Sequence, residues 1–195
     1  MKVDHSFFER DSLICSQDLI EATLTFNGLS GVVVETEAYR AEGDPACHTF
    51  FRKKAREFVA THRAGTAYVY LNYGVHWMLN FLCQGEFGPG FVLIRALAPT
   101  EGLATMRQRR NKTADHDLCS GPGKLTQALG LTGEWHGVDL LGREQIFSII
   151  LPEETPEVLA DRRIGITKGV EFPWRFTSAE GQQWVSRRWK EDLND

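Results

Sequence analysis

The 195-residue sequence lacks the features that mark membrane-spanning and secreted proteins. It contains no run of about 18 apolar residues, so no helical membrane span is expected. The N-terminal segment MKVDHSFFERDSL carries acidic residues and no long apolar stretch, which is not the pattern of a secretory signal. These absences favour a cytoplasmic protein that does not associate with membranes.

Cysteine is scarce, and none of the cysteines lies in a C-x-x-C pair or at a metal-ligand spacing from a histidine. A zinc site and a disulfide framework are therefore not expected. We predict reduced thiols, most of them buried as small core residues, and neither a metal nor another cofactor. The four cysteines are Cys15, Cys47, Cys83 and Cys119.

An excess of positive charge is also missing, because the formal net charge is −4. Such an average argues against nucleic-acid binding. The basic residues are nevertheless grouped, mainly within residues 52–63 and 107–112. Either group alone is most simply interpreted as solvated surface. Together they are compatible with a face that follows a phosphate backbone.

Strand patterns dominate the first half of the sequence. Residues 19–26 and 32–39 favour β-structure and are joined by the turn-rich NGLSG, which predicts a β-hairpin. Residues 66–83 contain two aromatic runs around the sequence NYG, which predicts a second hairpin with Tyr73 near its tip. Residues 40–65 show no clear periodicity and are expected to be irregular.

Helix signals appear in the second half. Thr100 can cap a helix that runs to residue 110, and Pro122 can begin a helix that Gly130 ends. Further strands are predicted at residues 91–97, 145–151 and 170–185. The sum predicts a single compact α+β domain over residues 1–195, with a mainly antiparallel sheet, packed helices and a protruding β-hairpin.

The string VVVETEAY places carboxylates and a tyrosine at the end of an apolar strand. Because side chains alternate along a strand, one face is expected to carry Val33, Glu35, Glu37 and Tyr39. Two glutamates on a strand face usually mark a solvated surface. A large aromatic residue in a tight turn, such as Tyr73, is harder to explain in that way and favours a functional site.

Four strings, in the same order and at similar spacing, resemble the alkyladenine DNA glycosylases, also called 3-methyladenine or methylpurine DNA glycosylases. They are VETEAY with His48 nine residues after Tyr39, YVYLNYGVHWMLN, VLIRALAPTEGLATMRQRR and LCSGPGKL. The likeness runs from about residue 27 to residue 129 and continues more weakly through RIGITKG to WVSR. Because a long basic N-terminal extension is absent, the sequence is similar to bacterial members.

The resemblance implies a fold like the formyltransferase C-terminal domain and the activity of a monofunctional DNA glycosylase. Such an enzyme flips alkylated or deaminated purines out of duplex DNA and hydrolyses the N-glycosidic bond without lyase activity. The likeness makes Glu37 the general base that activates water and Arg95 a residue that positions this water. The backbone carbonyl of Ile164 is the third partner of the water. Four lesions stay open: 3-methyladenine, 7-methylguanine, hypoxanthine and ethenoadenine.

The same resemblance implies the residues that hold the extruded base. Tyr39 and Tyr70 are stacking faces, and His48 is a polar contact to the edge of the base. Asn80 excludes the amino group of normal guanine. Tyr73 is the wedge inserted into the duplex where the damaged nucleotide has left.

Contacts to the DNA backbone are expected from the two basic groups and from the start of the helix predicted at Pro122. The candidates are Arg52, Lys53, Lys54, Arg107, Arg110 and Lys124. The expected partner is double-stranded DNA that contains damaged purines, and a monomer suffices for flipping at one site. Glu35 is expected to have a structural role in a buried hydrogen bond or ion pair.

Three other functions stay open at this point. A metal-dependent nuclease could use Glu35, Glu37, Asp44 and His48. A non-catalytic single-strand binder could use the tyrosines as stacking platforms. A formyltransferase-type relative acting on small substrates is disfavoured, because nothing resembles the catalytic Asn-His-Asp set of those enzymes.

Overall fold

An antiparallel sheet organises the chain, and the computed structural model describes it over residues 1–186. Within that range eight strands are present, and every pairing between them is antiparallel. Their bounds are β1 (Thr23–Phe26), β2 (Leu29–Arg40), β3 (Ala67–Asn72), β4 (His76–Gly85), β5 (Gly88–Glu101), β6 (Phe147–Ile150), β7 (Val158–Asp161) and β8 (Arg175–Ser178).

Short helices pack on this sheet. They are α1 (His5–Phe8), α2 (Ser12–Asp18), α3 (His48–Phe51), α4 (Lys53–Thr61), α5 (Leu103–Arg110) and α6 (Pro122–Leu129). Three 3-10 turns, Asp115–Asp117, Gly133–Trp135 and Gln182–Trp184, complete the elements of the described chain. The described residues thus form the α+β domain that the sequence predicts. No helix in residues 1–186 is both long enough and apolar enough to cross a membrane.

Strand β2 is the central element of the sheet. The strand order is β3-β4-β5-β2-β1-β6, and β8 pairs with both β2 and β7. The segment Glu35–Glu37 is hydrogen-bonded to β5 on one edge and to β8 on the other. Both glutamates in this part of β2 are fully buried.

Compensating bulges shape the β2–β5 pair. The register shifts on each side of Glu35, so that Val34 and Arg95 fall outside the regular ladder. Val33 packs in the main hydrophobic cluster, whereas Tyr39 packs against a second cluster around Tyr68. The prediction that Val33 shares a face with Glu35 is therefore wrong, because a bulge interrupts the alternation of side chains.

Both predicted hairpins are confirmed. Strands β1 and β2 are joined by Asn27 and Gly28, with φ values of 50° and 75°, as a two-residue turn with left-handed backbone requires. Strands β3 and β4 form the hairpin with Tyr73 at its tip. Helix α6 begins at Pro122 and ends before Gly130, also as predicted. The four cysteines are free and buried.

Two predictions for the first half of the chain are wrong. Residues 19–22 close helix α2 and turn at Glu21, with φ 64°, so β1 begins only at Thr23. Residues 40–65, predicted to be irregular, contain α3 and α4. In α4 only Ala55 and Phe58 are buried, which is too weak an apolar stripe to reveal the helix. Helices α1 and α2 were not predicted.

The second half also departs from the prediction. Thr100 extends strand β5 instead of capping a helix, because the end of β5 pairs with the start of β2, and α5 begins after Gly102. Of residues 170–185, only Arg175–Ser178 is a strand. Strand β7 was not predicted. Residue 187, the last of the WVSR string, lies outside the described residues.

Candidate active site

A cavity of about 480 Å³ opens beside the β3–β4 hairpin. Its walls come from the end of β2, the segment 45–51, strands β3 to β5 and the β7–β8 loop, residues 162–174. Most of the residues singled out in the sequence line it, namely Tyr39, His48, Tyr70, Tyr73, Asn80, Arg95 and Ile164. The structure therefore brings together residues that are separated by up to 125 positions in the sequence.

Glu37 lies directly behind the cavity wall and is fully buried. Its Oε2 accepts a 2.7 Å hydrogen bond from the Tyr39 hydroxyl and lies 3.2 Å from Nη1 of Arg95. Its Oε1 accepts a 2.7 Å hydrogen bond from the backbone N–H of Ile164. A carboxylate has about four acceptor sites, so these three contacts leave one for a further donor, on Oε1.

Glu35 is also fully buried, and it accepts four hydrogen bonds. Oε1 accepts from Nε of Arg95 at 2.8 Å, from Nε of Arg175 at 2.6 Å and from the Ser186 hydroxyl at 2.8 Å. Oε2 accepts from the Ser186 N–H at 2.6 Å. Burial alone would raise the pKa of Glu35, but Arg95, Arg175 and these hydrogen bonds together lower it. Glu35 is thus the weaker candidate for a base, and its predicted buried ion pair is present.

Arg95 carries a fixed positive charge into the site. Burial opposes that charge, but the carboxylates of Glu37 and Glu35 raise the Arg95 pKa above its ordinary value. The pKa of the Tyr39 hydroxyl is well above its ordinary value, first through burial and then through Glu37. Tyr39 therefore stays protonated and donates to Glu37, which the sequence prediction of a stacking role did not include.

Aromatic rings form the wall opposite Glu37. The ring centroids of His48 and Tyr70 are 4.4 Å apart, and Nδ1 of His48 lies 3.0 Å from the Tyr68 hydroxyl. Burial, with a smaller effect of Arg52, lowers the pKa of His48 to about 4. His48 is therefore neutral at neutral pH. Tyr68 was not assigned to the site, although its alternation with Tyr70 along the sequence placed both on one face.

Two further predicted residues have defined positions at the cavity. Nδ2 of Asn80 donates to the backbone carbonyls of Tyr68 at 3.1 Å and Met78 at 3.4 Å, which fixes the orientation of the amide. Tyr73, at the hairpin tip, is 85% exposed and has a φ of 49°. A left-handed, exposed tyrosine is an unfavourable arrangement that points to a contact outside the chain.

A buried ion pair that sequence reasoning missed joins two walls of the cavity. Arg163 in the β7–β8 loop donates from Nη1 and Nη2 to the two carboxylate oxygens of Asp44, at 2.6 and 2.8 Å. Neither side chain is exposed. The Arg163 guanidinium also lies 4.5 Å from the centroid of the Tyr39 ring. This pair holds the loop so that Ile164 reaches Glu37, and no short motif announces it.

The candidate phosphate contacts are placed unevenly. Arg52, Lys53 and Lys54 line a second groove with Trp77 and His136, which shares Tyr68 and Tyr70 with the cavity wall. Nζ of Lys124 lies 3.1 Å from the Ser120 hydroxyl and 3.9 Å from Asp117, and Pro122, two residues earlier, lines the cavity.

Two other candidates are engaged away from the cavity. Arg107 pairs with Asp115, and Arg110 hydrogen-bonds to Gln127 and to the Leu118 carbonyl. Lys168, which the sequence reasoning did not select, lines the cavity.

The residues proposed for a metal-dependent nuclease do not form a ligand set. Both oxygens of Asp44 are held by Arg163, and Glu35 is held by two arginines. In residues 1–186 no group of three or more His, Cys, Asp or Glu residues is arranged to hold a metal ion. The donor groups therefore give that alternative no support.

Comparison with known proteins agrees with the geometry. A sequence model of the methylpurine-DNA glycosylase family matches residues 6–182. A Rhodopseudomonas palustris (strain BisB18) protein is 45% identical over 97% of this chain and 93% of its own length. A Rhizobium meliloti (strain 1021) protein is 45% identical over 95% of this chain and 96% of its own. An Agrobacterium fabrum (strain C58) protein is 42% identical over 98% of this chain and 95% of its own length. All three are provisionally named as 3-methyladenine DNA glycosylases.

The Asp44–Arg163 pair leads to a stability prediction. The substitution Asp44→Asn leaves the Arg163 charge buried without compensation and should lower the free energy of unfolding by about 3–5 kcal/mol. Asp115→Asn, which breaks the half-exposed pair with Arg107, should cost about 0–1 kcal/mol. Urea unfolding measures both, and equal losses would contradict the structural role of the buried pair.

His48 leads to a prediction on pH. Its pKa in the folded protein is about 4, below the ordinary 6.5, so between these values the unfolded chain binds a proton that the folded protein does not. Stability should therefore fall as the pH drops from 6.5 towards 4. His48→Gln should lose less stability over the same interval. Urea unfolding at a series of pH values tests this, and parallel profiles for the two proteins would contradict it.

Proposed function

The chain belongs to the methylpurine-DNA glycosylase family, and on this premise we propose a mechanism for its action as a DNA glycosylase on methylated purines. In the proposal, an alkylated or deaminated purine is flipped out of duplex DNA into the cavity beside Glu37. The N-glycosidic bond is then hydrolysed by water that Glu37 activates. The observation that carries the proposal is the buried Glu37 carboxylate, which has one open acceptor site behind a cavity lined by aromatic rings.

Base flipping is part of the proposal because the enzyme needs access to the glycosidic bond. The sugar C1′ and the purine cannot be reached while the base is stacked, so the enzyme must extrude the nucleotide and bind it in a pocket. A volume of about 480 Å³ is within the usual range for small-molecule sites. Tyr39 and Tyr70 offer ring faces, neutral His48 a polar contact, and the fixed Asn80 amide a barrier to the guanine amino group.

The chemical step uses the open acceptor site of Glu37. Water donates one proton to Oε1 while its oxygen forms a bond to C1′, and the C1′–N bond breaks with its electron pair leaving on the purine. The sugar passes through an oxocarbenium-like state, which the negative charge of Glu37 stabilises. Arg95 and the backbone at Ile164 hold the carboxylate and, in the proposal, the water.

The nature of the base decides whether an acid is needed. A purine methylated at a ring nitrogen is already a cation and leaves as a neutral molecule without protonation. A neutral lesion such as hypoxanthine requires a proton on the leaving base. The proposed step is therefore complete for methylated purines, which agrees with the names of the relatives, whereas a neutral lesion would require an acid in addition.

A lyase step is not part of the proposal. It would need a lysine whose amine is kept neutral by a desolvated setting. Lys168 lines the cavity but is exposed, so its setting does not meet this requirement. We therefore propose a monofunctional enzyme that acts as a monomer through one domain over residues 1–195.

Contacts with the duplex complete the proposal. Tyr73, held out from the hairpin tip, fills the gap left by the flipped nucleotide. Arg52, Lys53, Lys54 and Lys124 contact phosphates around the cavity. Arg107 and Arg110, which are engaged elsewhere, are kept as weaker candidates.

The base assignment predicts the effect of Glu37→Gln. This variant should release base from methylated duplex DNA about 100- to 10,000-fold more slowly than the wild type, because the amide cannot accept the proton of water. The exposed Glu153→Gln variant serves as a matched control and should be unchanged. Single-turnover assays measure the rates, and borohydride should trap no covalent adduct. Excision by Glu37→Gln at the wild-type rate would refute the mechanism.

The wedge assignment predicts the effect of Tyr73→Ser. Loss of an aromatic contact with DNA should weaken binding to duplex that contains an abasic-site analogue by about five- to 100-fold, since such contacts are worth about 1–3 kcal/mol. Phe87→Ser, at the turn between β4 and β5, removes another exposed aromatic ring and should leave binding unchanged. Fluorescence anisotropy measures both, and unchanged affinity for Tyr73→Ser would remove the assignment.

A further inference from the structure

Glu35 is the buried carboxylate that the proposed mechanism leaves without a part. It lies two residues before Glu37 and is fully buried. Within residues 1–186, five groups other than those of Arg95 lie at hydrogen-bonding distance from the two carboxylates. They are the Tyr39 hydroxyl, the Ile164 N–H, Nε of Arg175, and the hydroxyl and N–H of Ser186. Arg95 is the group that contacts both glutamates.

The contacts of Arg95 fix the plane of its guanidinium. Nε donates to Glu35 at 2.8 Å, and Nη2 donates to the Ser186 hydroxyl, itself bound to Glu35, at 3.1 Å. With Nε and Nη2 held in this way, the third nitrogen, Nη1, lies 3.2 Å from Oε2 of Glu37. The guanidinium is a rigid planar fork, so restraint of two corners sets the direction of the third.

The buried charges at this site are balanced, and Arg175 also lies 3.4 Å from the carboxylate of the partly exposed Asp161. The two carboxylates, Glu35 and Glu37, face two guanidiniums, Arg95 and Arg175, and all four side chains are at least nine-tenths buried. Arg175 bonds Glu35 through Nε at 2.6 Å and pairs with Glu37 in the β2–β8 ladder. Removal of one charge from such a set leaves a net charge in a poorly solvated place, and the remaining titratable carboxylate must respond to it.

We propose that Glu35 is a positioning residue that holds Arg95 in the orientation that serves Glu37 and offsets the excess positive charge around it. This inference rests on the proposed function, because it concerns the base of that reaction. The groups that face Glu37 come from all the elements packed around it. They are Glu35 and Tyr39 of β2, Tyr70 of β3, Arg95 of β5, Arg175 of β8, and Arg163 and the Ile164 N–H of the β7–β8 loop.

Glu35→Gln and Arg175→Met should shift the acid limb of the pH–rate profile in opposite directions. Glu35→Gln leaves the site with an extra positive charge, which favours ionised Glu37 and weakens it as a base. The acid limb of the pH–rate profile should then move to lower pH by on the order of one unit, with a plateau rate about tenfold lower. Arg175→Met leaves an extra negative charge and should move the acid limb to higher pH.

The experiment measures single-turnover release of 7-methylguanine from duplex DNA as a function of pH. This cationic base needs no acid, so protonation of the leaving group does not contribute to the acid limb. His48, whose pKa is about 4, is unchanged in every variant, so the comparison between variants is read for Glu37. Wild type, Glu35→Gln, Arg175→Met and the charge-conserving Arg175→Lys are compared, and thermal unfolding confirms that each is folded. Arg175→Lys should keep the wild-type acid limb. Opposite shifts for the first two variants support the proposal, since damage to packing would slow both without moving their limbs apart.

The outcomes distinguish a failure of the proposed function from a failure of the role proposed for Glu35. Full activity of Glu37→Gln, or a wild-type profile without an acid limb, would refute the proposed function. An inactive Glu37→Gln variant together with unshifted limbs in Glu35→Gln and Arg175→Met would refute the role of Glu35 and leave the proposed function intact. If Glu35→Gln does not fold, the comparison of Arg175→Met with Arg175→Lys decides the question.

Discussion

A buried carboxylate can act as a base only if its charge is offset while one of its lone pairs stays open. Glu37 meets both conditions, because Arg95 offsets the charge and the donors from Tyr39 and Ile164 leave one acceptor site on Oε1. Moving an unpaired carboxylate to such a place would cost several kcal/mol. Three features of the fold supply the groups that offset the buried negative charge. They are the bulge at Arg95, the β2–β8 pairing and the β7–β8 loop. Burial of Glu37 therefore depends on all three.

Much of the fold was readable in the sequence because its signals are local. A few neighbouring residues suffice to predict the turn at Asn27 and the hairpin tip at Tyr73. Pro122 and Gly130 mark the two ends of α6. The parts that failed depend on partners elsewhere in the chain. Strand β5 runs past Thr100 because β2 is there to pair with it, and the phase of Val33 is changed by a bulge that no residue type encodes.

The candidate site divides in the same way. The likeness of four strings indicated six cavity residues at once, the weaker likeness of RIGITKG added Ile164, and all seven line one cavity in the structure. The pair Asp44–Arg163 was not found, since its members are 119 positions apart and the string RIGITKG, which contains Arg163, does not indicate a partner for it. Likewise, the sequence did not predict the hydrogen bond from the Tyr39 hydroxyl to Glu37. Alternation along a strand predicts that two side chains share a face, but not which polar atoms form a hydrogen bond.

The β7–β8 loop also bears on how the enzyme comes into being on the ribosome. Strands β1 to β5 emerge first and carry Glu37, Arg95 and the aromatic wall, but the loop with Arg163 and Ile164 follows more than 60 residues after β5 ends. Until then the carboxylates lack part of their compensation and the cavity lacks one wall. A nascent chain therefore cannot complete the candidate site before the β7–β8 loop has been synthesised.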